Sequence, residues 1–202
     1  GARAAFAAAG LKAAALPVDD AGADIGRVTA PARLAYVTPS NQYPTGVRMA
    51  LHRREALADW ARRTGAWIIE DDYDGEFHWR GRAVATLQAI APDVTLYVGS
   101  AAKSLMPALR LGWIAAPEPL VAPLREGVRN LGLGANLHAQ AAFEAFVEDG
   151  AWRAHIRRIS SAYAARGKLL ADALEDRFGA AMDVSRPDGG LQLVARISDT
   201  EA

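Results

Sequence analysis

Cysteine is absent from the 202 residues, which removes disulfides, thiolate metal sites and a cysteine nucleophile together and leaves stability to packing. Lysine is scarce: of 23 basic side chains only Lys12, Lys103 and Lys168 are lysines, the rest being arginines. Charge of one sign is lacking too, because acidic residues also number 23. No long basic run of the kind a nucleic-acid-binding arm needs is present, so direct nucleic-acid binding by this segment is not expected. The longest apolar stretches, such as Leu111 to Ala116, are broken by Pro or charge well short of the roughly 20 residues of a membrane span, so no membrane partner is expected. What is present is an ordinary globular composition, 51% apolar and 23% charged, enough for one good-sized core or two small ones. The opening Ala-rich segment, Gly1 to Ala9, has no initiator Met or signal-peptide pattern. The far end stops at Ile197-Ser198-Asp199-Thr200, just after an alternating run that needs strand partners. Both ends are therefore expected to be cut from a longer protein.

Apolar runs bounded by turn residues alternate with helical periodicity, the pattern of βα units around a mostly parallel sheet. Strands are expected at Leu11 to Val18, Leu34 to Thr38, Ala66 to Asp71, Thr95 to Gly99 and Leu111 to Ala115, each a run of the kind buried on both faces. A helix is expected over Arg53 to Thr64, with Leu57, Trp60 and Ala61 on one stripe and Gly65 as its stop. After Asn136 two helices follow, Leu137 to Glu148 and Trp152 to Phe178. In the second, Trp152, Ile156, Ile159, Tyr163, Leu170 and Leu174 draw one apolar seam down about seven turns, long enough to link two domains. Leu191, Leu193 and Ala195 alternate after Gly189-Gly190 as the start of a smaller α+β domain. The expected division is 1–150 for the larger domain and 151–202 for the linking helix and the beginning of the smaller one.

Two segments set ionisable groups at the ends of buried strands, where α/β folds gather ligands. In Trp67-Ile68-Ile69-Glu70-Asp71-Asp72-Tyr73-Asp74, alternation puts Ile69, Asp71 and Tyr73 on one face and Glu70 and Asp72 on the other. Taken alone this is equally a solvated strand end or a divalent-metal site. In Gly99-Ser100-Ala101-Ala102-Lys103-Ser104-Leu105, a lysine in an arginine-biased chain suggests that a primary amine is wanted, because an amine forms an imine with an aldehyde and guanidinium does not; partial burial would favour its nucleophilic form. An exposed loop lysine is the plainer alternative. A phosphate-binding P-loop is excluded, since the glycines it requires are replaced by Ala102 and Tyr97. Histidines 52, 78, 138 and 155 lack metal-ligand spacing, and no metal is expected.

Three motifs in register resemble one family along nearly the whole chain. They are Val37-Thr38-Pro39-Ser40-Asn41-Gln42-Tyr43-Pro44-Thr45-Gly46, then Trp67 to Asp74 continued by Gly75-Glu76-Phe77, then Gly99 to Leu105 with Pro107-Ala108-Leu109-Arg110-Leu111-Gly112-Trp113. Together they resemble the aminotransferase-like domain of the MocR-type branch of GntR transcriptional regulators, within fold-type-I pyridoxal-phosphate proteins of aminotransferase class I/II. The resemblance implies an α/β large domain, a linking helix and the start of a small α+β domain. It implies pyridoxal 5'-phosphate as cofactor, a cytoplasmic location and a homodimer. It further implies that Lys103 holds the cofactor as an imine, Asp71 pairs with the pyridine nitrogen, Tyr73 hydrogen-bonds the ring oxygen, and Arg110 with Ser100 binds the phosphate.

Two departures stand out. Ala102 replaces the hydroxyl residue usual before the lysine, which implies one phosphate contact fewer, and Tyr43 replaces the asparagine of the wider superfamily. The family's glycine-rich phosphate loop, ring-stacking aromatic and substrate-carboxylate arginine fall outside the chain, as does the winged-helix domain that would carry DNA binding. The expected role is an effector-sensing module for an amino compound, an amino acid or the cofactor itself. The alternatives are a working class I/II aminotransferase, which needs the same residues, and an inactive remnant.

Overall fold

The computed structural model describes residues 1–79, 85–186 and 188–198; Asp199 and Thr200 of the C-terminal run lie outside them. A short helix α1 (Ala2–Ala8) and a two-residue hairpin, β1 (Val18–Asp19) with β2 (Gly22–Ala23), precede the main sheet. That sheet has the order β3 (Leu34–Val37), β4 (Trp67–Asp72), β5 (Thr95–Ser100), β6 (Gly112–Ala115). The first three strands run parallel and β6 is antiparallel to β5. Parallel neighbours need a crossover. α2 (Leu51–Thr64) supplies it between β3 and β4, and the short α3 (Leu87–Ile90) lies between β4 and β5.

The expected strand over Leu11 to Val18 does not form: only Val18 pairs, and 11–17 is irregular chain. Its apolar content is used by side-chain packing alone, with Leu16 set against the core beside Ile25. The other strands and the helices lie within about two residues of their expected limits. α5 (Leu137–Glu148) matches in full, and α2 ends at Gly65, which is left-handed at φ 66. The sequence reading did not single out α4 (Glu118–Asn130), which buries no residue.

α2 lays Leu57 and Ala61 on the sheet, where they meet Ala35, Val37 and Ile68. Each large aliphatic side chain buried there contributes roughly 1.5–3 kcal/mol. Alternation sorts β4 into two faces. Ile68, Glu70 and Asp72 are buried toward α2 and α3, while Trp67, Ile69 and Asp71 are half-buried on the opposite face.

The long helix α6 (Ala151–Phe178) spans 28 residues, about 42 Å at 1.5 Å per residue. Phe143 of α5 stacks on Trp113 of β6 at 5.8 Å and meets Trp152 of α6 edge-on at 5.2 Å. Tyr163 packs edge-on against Phe77 at 5.2 Å. Trp152, Ile156, Ile159, Tyr163 and Leu174 are half-buried along the seam. Leu170 departs from it at 51% exposure, because it borders a cavity instead of a packed partner, and the fully buried position in that turn is Ala171. Beyond α6, β7 (Met182–Ser185) pairs antiparallel with β8 (Val194–Ile197). The strand thus begins at Val194; Leu191 to Leu193 form an approach segment held by other contacts.

Candidate cofactor site

The strand ends converge by register. Asp71 is paired with Val98, and Ser100 lies two residues further along β5, where it pairs with Gly112 of β6. At about 4.8 Å between strands and 3.3 Å per residue, Asp71 and Ser100 are roughly 8 Å apart on one face. The 101–110 loop leaves β5 and returns to β6 with its ends joined, since the Ala101 N–H donates to the Leu111 carbonyl at 3.0 Å. That closure brings Lys103 and Arg110 back to the same strand end. Inside the loop the Leu105 N–H donates to the Ala101 carbonyl at 2.9 Å, and the Ser100 hydroxyl accepts from the Ala102 N–H at 3.1 Å. His155 of α6 reaches across to the Ser104 carbonyl at 2.7 Å, holding the residue next to Lys103.

Lys103 is exposed, not partly buried, because the turn lifts it off the strand while Ala101 and Ser104 take the buried positions. It makes no hydrogen bond or salt bridge among the described residues; burial raises the nearby Asp74 carboxyl, and the Lys103 charge offsets only part of that rise. Arg110 is exposed, has no salt bridge among the described residues, and holds a left-handed backbone at φ 51, the one non-glycine residue there to do so. Such a conformation costs an L-residue roughly 1–2 kcal/mol.

Asp71 accepts a hydrogen bond from the Tyr36 hydroxyl on β3. Tyr73 lies just past β4, its hydroxyl 3.1 Å from the Asn41 carbonyl and 3.3 Å from the side chain of Gln192. Burial first, then the charges of Asp74 and Asp71, hold the Tyr73 phenol above its ordinary pKa, so it stays a proton donor. Tyr36 is raised in the same way by burial and by Asp71. Tyr43 is largely exposed, and its peptide bond to Pro44 is cis.

The acidic string is not a solvated strand end. Glu70 is fully buried and its two oxygens accept the N–H groups of Leu87 and Gln88, each at 2.9 Å, with Arg54 at 3.6 Å. Asp72 accepts from the Tyr97 hydroxyl at 2.9 Å. Among the described residues no group of three or more His, Asp or Glu side chains is arranged for a metal. The donor set suits a different ligand: a free primary amine, a carboxylate, a phenol, a hydroxyl and an unpaired guanidinium at adjacent strand ends match an aldehyde, a ring nitrogen, a ring oxygen and a phosphate.

Sequence reasoning missed four participants. Asn41 is buried, and its amide donates to Asp74 at 2.8 Å; it sat inside a quoted motif without a role. Asp74 also accepts from the Leu191 N–H at 2.9 Å. Tyr36 and Gln192 gave no local signal, because each meets the site only through tertiary contact. Beside Gln192 lies a cavity of about 540 Å³ between α6 and the 190–193 segment, lined by Trp79, Tyr163, Gly167, Ala171, Leu191 and Leu193 among others. No helix among the described residues is long and apolar enough to cross a membrane.

The aminotransferase class I and II family profile matches residues 23–202. The probable rhizopine catabolism regulatory protein MocR of Rhizobium meliloti is 36% identical over 200 residues, 98% of this chain and 41% of that protein. The uncharacterized HTH-type transcriptional regulator YhdI of Bacillus subtilis (strain 168) is 36% identical over 165 residues, 81% of this chain and 35% of that protein. The chain thus spans well under half the length of these curated relatives. Among solved structures, the Pyrococcus horikoshii kynurenine aminotransferase in complex with PMP superposes with a TM-score of 0.80 at 25% identity, over 87% of this chain and 46% of that one. With the family profile running from the first hairpin to the end of the chain over this fold, the chain belongs to the aminotransferase class I and II family, as an aminotransferase-like domain of the pyridoxal-phosphate-dependent fold type I.

Proposed function

We propose that this domain holds pyridoxal 5'-phosphate on Lys103 and serves as the effector-sensing module of a MocR/GntR-type transcriptional regulator. The observation that carries the reading is the convergence of Lys103, Asp71, Tyr73, Ser100 and Arg110 at the C-terminal ends of β4 and β5. The regulator role is supported by the relatives named as regulators. When bound, the cofactor supplies an aldehyde and an electron-accepting ring. Lys103 would hold the cofactor through its amine. Asp71, held by Tyr36, would pair with the ring nitrogen, and Tyr73 would donate to the ring oxygen. Arg110 and Ser100 would bind the phosphate, and Ala102 would offer it no hydroxyl.

The cavity beside Gln192 has the size and largely apolar lining that suit a small effector, and an amino compound or amino acid is the expected class. Residues 1–150 form the cofactor domain, with 151–202 the linking helix and the beginning of the small domain. A cytoplasmic homodimer is the expected assembly; Leu131, Leu133 and Leu137 are 73%, 65% and 77% exposed, an apolar patch that a second copy would cover. DNA contact belongs to a separate winged-helix domain of the parent protein. A second reading, transamination between an amino acid and a 2-oxo acid, is favoured by the likeness to the kynurenine aminotransferase.

The test is the visible absorption of the purified chain with pyridoxal phosphate beside Lys103→Ala. A band in the parent that is missing from the variant is the expected result, and equal spectra would sink the cofactor assignment. Loss of the band on adding an amino acid, with release of a 2-oxo acid, would favour the second reading.

A further inference from the structure

The 188–192 segment is clasped against the turn that follows β4. The Trp79 N–H donates to the Asp188 carbonyl at 3.1 Å, the Gly190 N–H to the Phe77 carbonyl at 2.7 Å, and the Leu191 N–H to Asp74 at 2.9 Å. Asp74 is fixed from its other oxygen by the Asn41 amide at 2.8 Å. The clasp requires glycine at 190, where φ is +77 and an added Cβ would lie 2.7 Å from the Asn41 side chain. Its result is to deliver Gln192 to the phenol of Tyr73.

Tyr73 then faces a problem of proton counting. Its hydroxyl is within hydrogen-bond distance of the Asn41 carbonyl, at 3.1 Å, and of the end of the Gln192 side chain, at 3.3 Å. A phenol carries one proton and two lone pairs. The Asn41 carbonyl only accepts, so it takes the proton. A glutamine end presents either an oxygen or a nitrogen of nearly the same size, and only the nitrogen completes the second bond.

We propose that Gln192 is a positioning residue of the cofactor site. Its amide nitrogen donates to the Tyr73 oxygen, so that the single phenolic proton is directed to the Asn41 carbonyl in the cofactor-free chain and to the ring oxygen of the cofactor in the loaded one. The second half rests on the cofactor reading above; the first does not. Since Gln192 stands on the approach to β8 and also lines the cavity, it joins the start of the small domain to the residue that tunes the site.

The experiment has two arms. In the cofactor-free chain labelled with nitrogen-15, the Gln192 side-chain amide signals, identified by their loss in Gln192→Leu, are compared between parent and Tyr73→Phe. A shift of these signals with roughly tenfold faster solvent exchange in Tyr73→Phe is expected for loss of one partly buried hydrogen bond; unchanged signals overturn the assignment. In the second arm the visible band formed with pyridoxal phosphate is titrated with pH in the parent, Gln192→Leu and Gln192→Glu. A donor to the ring oxygen favours the deprotonated linkage, and a carboxylate at 192 draws the Tyr73 proton away from it. The midpoint is therefore expected to rise by about one pH unit in Gln192→Glu and by less in Gln192→Leu. Identical midpoints in all three proteins overturn the tuning role. Absence of the band in the parent would count against the cofactor reading and the tuning role together, while the amide signals still decide which way Gln192 points.

Discussion

Replacing Arg54 with methionine should be among the most damaging single changes available in this chain. The guanidinium is buried at 1% exposure on the inner face of α2. It donates to three backbone carbonyls, Pro39 at 2.8 Å, Met49 at 3.1 Å and Ala85 at 3.1 Å, and stands 3.6 Å from the Glu70 carboxylate. Pro39 and Met49 bracket the loop that carries Asn41, so Arg54 closes that loop from beneath. Methionine fills much of the volume but leaves the buried Met49 carbonyl without its donor, at about 1–3 kcal/mol before relaxation, whereas the Pro39 carbonyl keeps the Met49 N–H at 2.9 Å. It also strips Glu70 of its buried countercharge. Breaking such a pair costs about 3–5 kcal/mol, and that range is the expected total, since the two contributions overlap.

Burial already raises the Glu70 carboxyl, against the Leu87 and Gln88 amides and Arg54. Without Arg54 it rises further, so the folded state holds its proton to higher pH than the unfolded chain does. The deficit of Arg54→Met should therefore be smaller near pH 4.5 and grow as pH rises. Urea unfolding at several pH values measures this. A double-mutant cycle with Glu70→Gln should show a coupling of at least about 1 kcal/mol. A loss under about 1 kcal/mol at neutral pH, or strict additivity in the cycle, would refute the argument that this pair closes the site loop.

Three further outcomes are expected. The half-buried Glu76 is pushed up to about 7, by burial first and then by Asp72 and Asp74. Being raised, it favours the folded state at low pH, so stability falls as pH climbs from about 4.5 to 7. On the order of 3 kcal/mol is involved, and Glu76→Gln should unfold like the parent near pH 4 yet be more stable above pH 7. Arg110→Gly relieves the left-handed backbone at φ 51, so its melting free energy should stay within about 1 kcal/mol of the parent. Equilibrium dialysis should nonetheless show pyridoxal phosphate retention falling at least about tenfold, the worth of a lost charge-assisted contact. Gly190→Ala should open the clasp on Asn41, and amide hydrogen exchange at Leu191 should speed up while exchange within β4 stays slow.

How much of this was legible in the sequence depends on the range of the interaction concerned. The α2 stripe and its Gly65 stop, the α5 limits, the strand runs at 34–38, 66–71 and 95–99, and the placing of Lys103 beyond a buried strand all follow from periodicity and turn chemistry within a dozen residues. The 11–18 run misled because an apolar composition permits a strand without supplying a neighbour to pair with. Leu170 misled in a similar way, since the helical period places it on the seam while the partner opposite is a cavity. The exposure of Lys103 was decided by the turn between β5 and β6, which buries Ala101 and Ser104 in its stead.

Tyr36 on Asp71, Arg54 under Glu70, and Gln192 against Tyr73 join residues 35, 16 and 119 positions apart. No local pattern marks such pairs, because each exists only once strand register and the 188–192 clasp have been set. The sequence by itself determined which candidate groups are present: the amine, the carboxylate, the phenol and the guanidinium, in an order that resembles one family. The tertiary structure alone decided which groups hold those residues in place. Hydrogen-bond partners are chosen by position in space, and position is a property of the whole packed chain.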